Sequence, residues 1–169
     1  MKLLSRNKNI NKTKSQPGFS LIELLVINGI LAVLLAITLT TLNPNKSFED
    51  LRNTQRASDI EAILDGIYEY ESANNGNLPY SVASVTTKPV ELGEGNGFIN
   101  LCPSLVPTYL AELPVDPETS YGSVTGGVSP CNKGVTAYAT GYTISKTPSG
   151  HITITAPHTE DGQTLSVTR

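Results

Sequence analysis

The sequence reads LLVINGILAVLLAITLTTL from Leu24 to Leu42, and these 19 residues carry no charge. A helix of this length extends for about 28 Å, which is close to the thickness of the hydrocarbon core of a bilayer. The first 18 residues contain five of the 12 lysines and arginines and no acidic residue. Because basic residues tend to stay on the cytoplasmic side of a membrane helix, we expect the rest of the chain to lie outside the cytoplasm.

The segment after this run, residues 43–75, is charged and has the spacing of an amphipathic helix. Asn43 can cap a helix and Pro44 fits its first turn, so we expect the helix to kink and restart here. The Asn-Asn-Gly sequence at 74–76 predicts its end. Together these signals predict one long helix over about residues 20–74, whose second half packs on a globular head. From Phe48, apolar residues recur three or four positions apart, at Leu51, Ile60, Ile63, Leu64, Ile67 and Tyr70.

The C-terminal part, residues 76–169, has the pattern of a small β domain. Apolar and polar residues alternate at 138–145, 151–156 and 164–168, with turn sequences at 148–150 and 160–162. Short turns between strands favour an antiparallel meander with one face on the helix. Residues 77–137 contain too many Pro and Gly for long elements, and one short helix is expected within 101–113. The predicted fold class is therefore α+β.

The chain has two cysteines, Cys102 and Cys131, both in the C-terminal half. If the chain is exported, an even count favours a disulfide between them. Closing this loop of about 30 residues would stabilise the fold by about 3–4 kcal/mol in the chain-entropy model. The alternative is two unpaired, buried thiols.

The start of the apolar run is unusual because it contains an acid: Gly18-Phe19-Ser20-Leu21-Ile22-Glu23. A secretory signal has an apolar stretch of about 7–15 residues followed by its cleavage site, whereas this run is longer. A plain membrane anchor explains the length but not a carboxylate within the apolar segment, where charge is costly. A buried helix of a soluble protein would not usually follow an unpatterned basic leader.

This stretch resembles the prepilin cleavage and methylation motif of type IV pilins and of type II secretion pseudopilins. The resemblance implies that a prepilin peptidase removes residues 1–18 by cutting after Gly18, and that the new N-terminal Phe19 is methylated. Residues 19–42 would then remain as a transmembrane and assembly helix, residues 43–75 would continue it, and residues 76–169 would form the β head. Glu23 is expected to pair with the Phe19 amine of a neighbouring subunit, because an acid in apolar surroundings needs a partner. That pair would set the axial register of each incoming subunit.

The function that the resemblance implies is structural. The chain would wait in the cytoplasmic membrane and then join a helical homo-oligomeric filament, an extracellular pilus, with the help of the pilus assembly machinery. Adhesion, twitching motility or DNA uptake are the roles that such filaments support. Two alternatives stay open: a pseudopilin of a type II secretion system, and a membrane-anchored binding protein that does not polymerise. Asn28-Gly29 departs from the family pattern, so the helix could bend or unwind in a filament either there or at Pro44.

Charge and residue types argue against other classes of function. Removing residues 1–18 leaves seven basic side chains against 15 acidic ones, a net charge of −8, and we therefore expect no nucleic-acid site. His151 and His158 are the only histidines, and no nucleophile is spaced from them as in a catalytic set. We predict that the chain is not an enzyme and uses no cofactor.

The chain has two patterned groups of acidic residues, one of which could supply metal ligands. The sequence Leu-Pro-Val-Asp-Pro at 113–117 resembles the head of pseudopilins, some of which bind calcium in the following loop. Asp116 and Glu118 could supply oxygen ligands, but a hard cation requires six or more. We therefore predict a turn fixed by proline with solvated acids, and no metal. Glu61, Asp65 and Glu69 form a line along the predicted helix, which is typical of a solvated face.

Overall fold

The computed structural model describes residues 18–41 and 44–169. The chain divides into two compact units, residues 1–43 and 44–169. Within the first unit, α1 spans Leu21–Thr41. Residues 1–17 of the predicted leader, and residues 42 and 43, on which a single long helix depends, lie outside the described residues. Both remain predictions.

The second unit contains the remaining elements and confirms the α+β class. The three predicted strands are present as β3, β4 and β5. The elements between 77 and 136 are all short, as expected. In chain order the elements are α2 (Pro44–Ala73), α3 (Tyr80–Ala83), β1 (Val90–Gly93), α4 (Cys102–Leu105), β2 (Ser123–Thr125), β3 (Ala137–Lys146), β4 (Ile152–Ala156) and β5 (Leu165–Thr168).

The strands form one antiparallel sheet around β3. The sheet order is β1-β3-β4-β5, so the predicted meander of the last three strands is confirmed. β2 pairs with the first part of β3, residues 137–139, and β4 pairs with its last part, residues 143–146. The sequence analysis missed β1 and β2, which have four and three residues and lie in the segment rich in Pro and Gly.

α2 lies across β4 and β5 and covers the core. It ends at Ala73, followed by Asn75 with φ 57° and Gly76 with φ 81°, which confirms the predicted left-handed stop. The core is continuous and draws on α2, the sheet and the segments between them. Its buried apolar residues are Ile60, Ile63, Leu64, Ile67, Val82, Val85, Leu92, Leu101, Leu105, Leu113, Tyr138, Tyr142, Ile144, Ile152, Ile154 and Ala156.

The apolar stripe predicted along α2 is correct only from Ile60 onward. Phe48 and Leu51 are exposed, at 58% and 65%, whereas Asn53 and Arg56 are buried. The prediction failed for a physical reason: the β4–β5 turn and the segment around residue 116 bring polar partners to this part of the helix. A polar side chain can be buried where it is hydrogen-bonded.

Candidate functional site

The surface of α1 is apolar on every side. From Leu21 to Leu39 the helix is long and apolar enough to cross a membrane, and none of it is buried within the structure. Its large side chains are exposed all around the axis, from 42% at Ile27 to 81% at Leu21. A helix with no polar face is typical of a membrane segment rather than of the surface of a soluble domain. A helix of this kind near the N-terminus is suited to anchoring in a membrane or to acting as a signal sequence.

The residues predicted for cleavage and register lie at the start of α1. Gly18 and Phe19 are exposed and precede the helix, and the main-chain N–H of Leu24 donates to Ser20 O at 3.1 Å in the first turn. Glu23 lies in that turn and is exposed. A carboxylate there is favoured by the N-terminal end of the helix dipole. Glu23 takes part in none of the ion pairs among the described residues.

α1 continues through Asn28-Gly29 without interruption. A Cβ atom added to Gly29 would meet nothing within 4 Å, and the glycine lies in a shallow apolar groove with Val26, Ile30 and Val33. The helix is therefore not unwound at this position. Whether the helix bends there in a filament stays a prediction.

The predicted disulfide is present in the second unit. Cys102 and Cys131 are bonded, with their Cα atoms 5.3 Å apart. Asn100 Oδ1 accepts from the Cys102 main-chain N–H at 2.9 Å and from the Tyr138 hydroxyl at 2.8 Å. Burial raises the pKa of Tyr138 to about 12, so this hydroxyl remains a donor at neutral pH. The disulfide thus joins α4 to the segment just before β3.

A buried ion pair joins α2 to the segment between α4 and β2. The Arg56 guanidinium donates from Nε and Nη2 to the two carboxylate oxygens of Asp116, at 2.8 and 2.9 Å, and both side chains are completely buried. The hydrogen bond from Arg56 to Asp116 raises the pKa of the arginine further. Asp116 Oδ1 also accepts from the main-chain N–H of Glu118 at 2.8 Å. The prediction that Asp116 is solvated was wrong, because Arg56 reaches it from α2.

A second group of contacts joins α2 to the β4–β5 turn. Glu160 accepts from Arg52 at 2.6 and 2.8 Å and from Arg56 Nη1 at 3.4 Å. Asn53 exchanges two hydrogen bonds with the Glu160 main chain, both at 3.1 Å. The hydrogen bond from Arg52 lowers the pKa of Glu160. In the next residue of the turn, Asp161 pairs with Lys46 at 2.7 Å.

A second buried acid, Asp59, completes this polar cluster. It accepts from the Tyr142 hydroxyl at 2.6 Å and from Gln55 Nε2 at 2.7 Å. Burial raises the pKa of Asp59, and burial followed by the hydrogen bond to Asp59 raises the pKa of Tyr142. The carboxylates of the cluster are held by donors of the chain itself, which suits them to fixing loops rather than to proton transfer.

The remaining candidates do not converge with this cluster on a common site. The described residues contain no group of three or more His, Cys, Asp or Glu that could hold a metal ion. His151 is exposed just before β4, and His158 stacks on the Tyr121 ring with centroids 3.9 Å apart. The predicted acidic line of Glu61, Asp65 and Glu69 is exposed, and Asp65 pairs with Arg169.

The sequence analysis missed the cluster, although a signal for it was present. Asn53, Arg56, Ile60, Ile63 and Ile67 are spaced three or four residues apart, so the two polar residues fall on the face that is apolar further along α2. Polar residues that continue an apolar stripe can indicate a buried hydrogen-bond network. The sequence alone does not show which distant residues are their partners.

Comparison of the chain with protein-family models, with characterised proteins and with solved structures gave no match. Any assignment therefore depends on the residues themselves.

Proposed function

We propose that this chain is the precursor of a filament subunit of the type IV pilin class. The subunit would be inserted in the cytoplasmic membrane, cut after Gly18, methylated at Phe19 and assembled into a filament at the cell surface. The observation that carries the proposal is α1: a helix apolar on all sides and exposed along its length, with an acid in its first turn. Contiguous apolar surface of this size needs a lipid or protein partner.

The second unit supports a role for α1 between molecules. All the buried apolar residues of the core lie between Ile60 and Ala156, so the head covers its core without α1. An apolar helix that its own domain does not need is free to lie in lipid and later to pack against other copies. Contacts between different surfaces of successive copies, when they do not close a ring, produce a filament.

Processing before α1 fits the exposure of the cleavage segment. Gly18 and Phe19 are exposed and lie outside any helix or strand, and a Cβ atom at Gly18 would meet nothing within 4 Å. A peptidase can reach such a segment without unfolding the chain. A cut here keeps α1 on the mature protein, whereas a cut beyond α1 would discard it.

Glu23 favours assembly over simple anchoring. A carboxylate in apolar surroundings is stable only when paired, and the free amine of Phe19 on a neighbouring copy would supply the partner after cleavage. In a plain anchor, only the N-terminal end of the helix dipole would stabilise this acid.

The first test is the mass of the mature protein. The full chain is expressed with an active prepilin peptidase, and with an inactive one as the control. We expect the active enzyme to give a product that begins at a methylated Phe19. A product that begins beyond residue 42 would identify α1 as a signal sequence, and an uncut product would leave only a membrane anchor.

A second test addresses assembly. Glu23→Ala is compared with Glu61→Ala, which removes an exposed acid from α2. We expect only Glu23→Ala to reduce the filament fraction recovered by sedimentation and seen by electron microscopy, while both variants still insert in the membrane. Equal filament yield from both would contradict the pairing of Glu23.

A further inference from the structure

The sequence contains three Asn-Gly pairs, at 28–29, 75–76 and 96–97. In such a pair the asparagine side chain can react with the main-chain nitrogen of the glycine, because glycine has no Cβ atom to obstruct the approach. Asparagine is for this reason one of the thermolabile residues of proteins. Whether the reaction occurs in a folded chain depends on how firmly the fold holds that nitrogen.

The fold holds the first two pairs. Asn28 and Gly29 lie within α1, where the main-chain N–H of each residue donates to a carbonyl one turn earlier. Asn75 and Gly76 are exposed, but they form the left-handed stop of α2, and the Gly76 N–H donates to Glu71 O at 2.9 Å. The nitrogen that would have to react is therefore hydrogen-bonded in both pairs.

The third pair lies in an exposed turn that follows β1. Asn96 and Gly97 are both exposed, and within the described part of the chain no acceptor receives the Gly97 N–H. The turn itself is weakly closed, because the Phe98 N–H donates to Gly95 O at 3.4 Å, beyond the usual range of about 2.7–3.2 Å. The nitrogen of this pair is thus available, although the exposure of the pair matches that at 75–76.

This turn can rearrange without disturbing the sheet. The Glu94 N–H donates to Tyr138 O at 2.9 Å on one side of the turn. The Gly93 N–H donates to Ile99 O, and the Ile99 N–H to Glu91 O, both at 3.0 Å. These contacts hold the two ends, so only the turn between them has to open. Local opening requires little free energy where few contacts hold a segment.

We propose that Asn96 is a site of spontaneous deamidation. The Gly97 nitrogen gives up its proton and attacks Cγ of Asn96, so that a bond forms between the two atoms. The bond from Cγ to the side-chain nitrogen breaks, and that nitrogen takes up a proton and leaves as ammonia. Water then opens the resulting succinimide ring at either of its carbonyl groups, which gives aspartate or isoaspartate at position 96. The only co-reactant is solvent water.

Either product changes the charge of the head. A neutral amide is replaced by a carboxylate, close in sequence to Glu91 and Glu94, within a second unit that already has an excess of acids. Isoaspartate also adds a carbon atom to the main chain of the turn. The proposal is independent of the proposed function, because the reaction needs only the folded head in water. A chain that remains in use for a long time should accumulate the more acidic forms.

The rate test compares the three pairs within one molecule. The purified full chain is aged in detergent, in a warm and mildly alkaline buffer made with water that carries heavy oxygen. Its peptides are then analysed by mass spectrometry. Only residues that react during ageing take up the label, so reaction during digestion is not counted. We expect Asn96 to react about tenfold faster than Asn75 or more, because a hydrogen bond must break at Gly76. Asn28 should remain intact.

The control is the same chain, reduced and unfolded in guanidinium chloride. Asn75 and Asn96 should then react at similar rates, because the hydrogen bond to Glu71 is lost. Faster reaction of Asn96 in the folded chain alone supports the proposal. Equal rates in the folded chain, or an Asn96 without label, would overturn it. Faster reaction of Asn96 in both states would assign the difference to local sequence and would also overturn it.

A matched pair of variants tests the site itself. Asn96→Gln and Asn75→Gln each replace an exposed asparagine by glutamine, which reacts much more slowly because it must form a larger ring. Isoelectric focusing of the aged chains separates the more acidic form. We expect this form in the wild type and in Asn75→Gln at the same rate, and its loss in Asn96→Gln. Helix content and the disulfide should be unchanged in both variants. An acidic form that accumulates in Asn96→Gln at the wild-type rate would contradict the assignment.

Discussion

At the scale of single residues, the Arg56–Asp116 pair determines how the head is held together. Both side chains are completely buried, and burial removes the hydration that would otherwise stabilise their charges. The two hydrogen bonds between them and the one from the Glu118 main chain replace that hydration. The pair joins positions 60 residues apart, so it stabilises a contact that local structure cannot provide.

Removing one member of the pair should be costly. Arg56→Met leaves the Asp116 carboxylate buried without its partner, and the free energy of unfolding should fall by about 3–5 kcal/mol. Arg52→Met, which affects the half-exposed contact to Glu160, should cost much less. Urea denaturation of both variants measures the difference. A double variant, Arg56→Met with Asp116→Asn, should lose less free energy of unfolding than the two single variants lose together. Strict additivity of the two losses would contradict a direct interaction.

Asp59 should make stability depend on pH in the acid range. Burial raises its pKa above the ordinary 3.8, so the folded chain holds a proton there at pH values where the unfolded chain has released it. The stabilisation that Asp59 gains from this proton is complete below pH 3.8. It is lost as the pH rises through the pKa of Asp59 in the folded chain. Glu160, whose pKa is lowered, contributes to the pH dependence of stability with the opposite sign. Its contribution cancels when the wild type is compared with a variant that also contains Glu160.

The comparison chain is Asp59→Asn, which cannot titrate. Relative to the wild type, its free energy of unfolding should be higher at neutral pH than below pH 3.8, because only the wild type gains from protonation. Chemical denaturation of both chains across this range measures the difference. A difference that stays constant with pH would show that burial does not perturb Asp59.

At the scale of elements, β3 adapts to its neighbours through a glycine. Gly141 has a φ of 80°, and the register between β1 and β3 shifts between Glu91 and Gly93. Near this point the Thr140 hydroxyl donates to Leu92 O at 2.9 Å, and the Gly141 N–H donates to Glu91 Oε1 at 3.2 Å. The irregularity allows β3 to pair first with β2 and then with β4.

A side chain at Gly141 should disturb both the strand and the ion pair. A Cβ atom there would lie 2.9 Å from Asp116 Cβ and 3.2 Å from Tyr121 O. Gly150 is the matched control, because its φ is 96° but a Cβ atom would meet nothing within 4 Å. Gly141→Ala should cost about 1–3 kcal/mol more than Gly150→Ala, since backbone strain is common to both and overpacking is not. If thermal or urea unfolding shows the same loss of stability for both variants, the loop at 116–121 moves to make room for the added Cβ atom.

At the scale of the whole molecule, the two units differ in how far they bury their apolar side chains. The second unit combines a continuous core, a disulfide and the buried polar cluster. The large apolar side chains of α1 are all exposed. The head is thus equipped to fold in water, whereas α1 requires lipid or other apolar helices.

This difference predicts that residues 44–169 fold alone. The fragment should be monomeric in buffer without detergent and should form the Cys102–Cys131 disulfide. It should unfold cooperatively, because its core includes no residue of α1. Size-exclusion chromatography, mass spectrometry under non-reducing conditions and circular dichroism test the three properties. Aggregation or non-cooperative unfolding would mean that α1 contributes to the core.

Local pattern accounts for what the sequence could predict. Four features are visible in consecutive residues or in a count: the uncharged run at 24–42, the alternation in β3 to β5, the stop after α2 and the cysteine pair. The alternation is visible because it reflects the period of a strand. The Gly18 to Glu23 motif, which resembles the prepilin cleavage motif, is visible in consecutive residues in the same way.

The sequence by itself therefore determined the α+β class, the apolar helix and the strands of the meander. Only the tertiary structure decided which side of α2 faces inward near its start, because Arg56 and Asn53 are buried only when Asp116 and Glu160 arrive from distant parts of the chain. It also decided the register of the short strands β1 and β2. The physical reason is that the free energy of burying a polar group depends on its partner, and a partner 60 or more residues away leaves no mark on the local pattern.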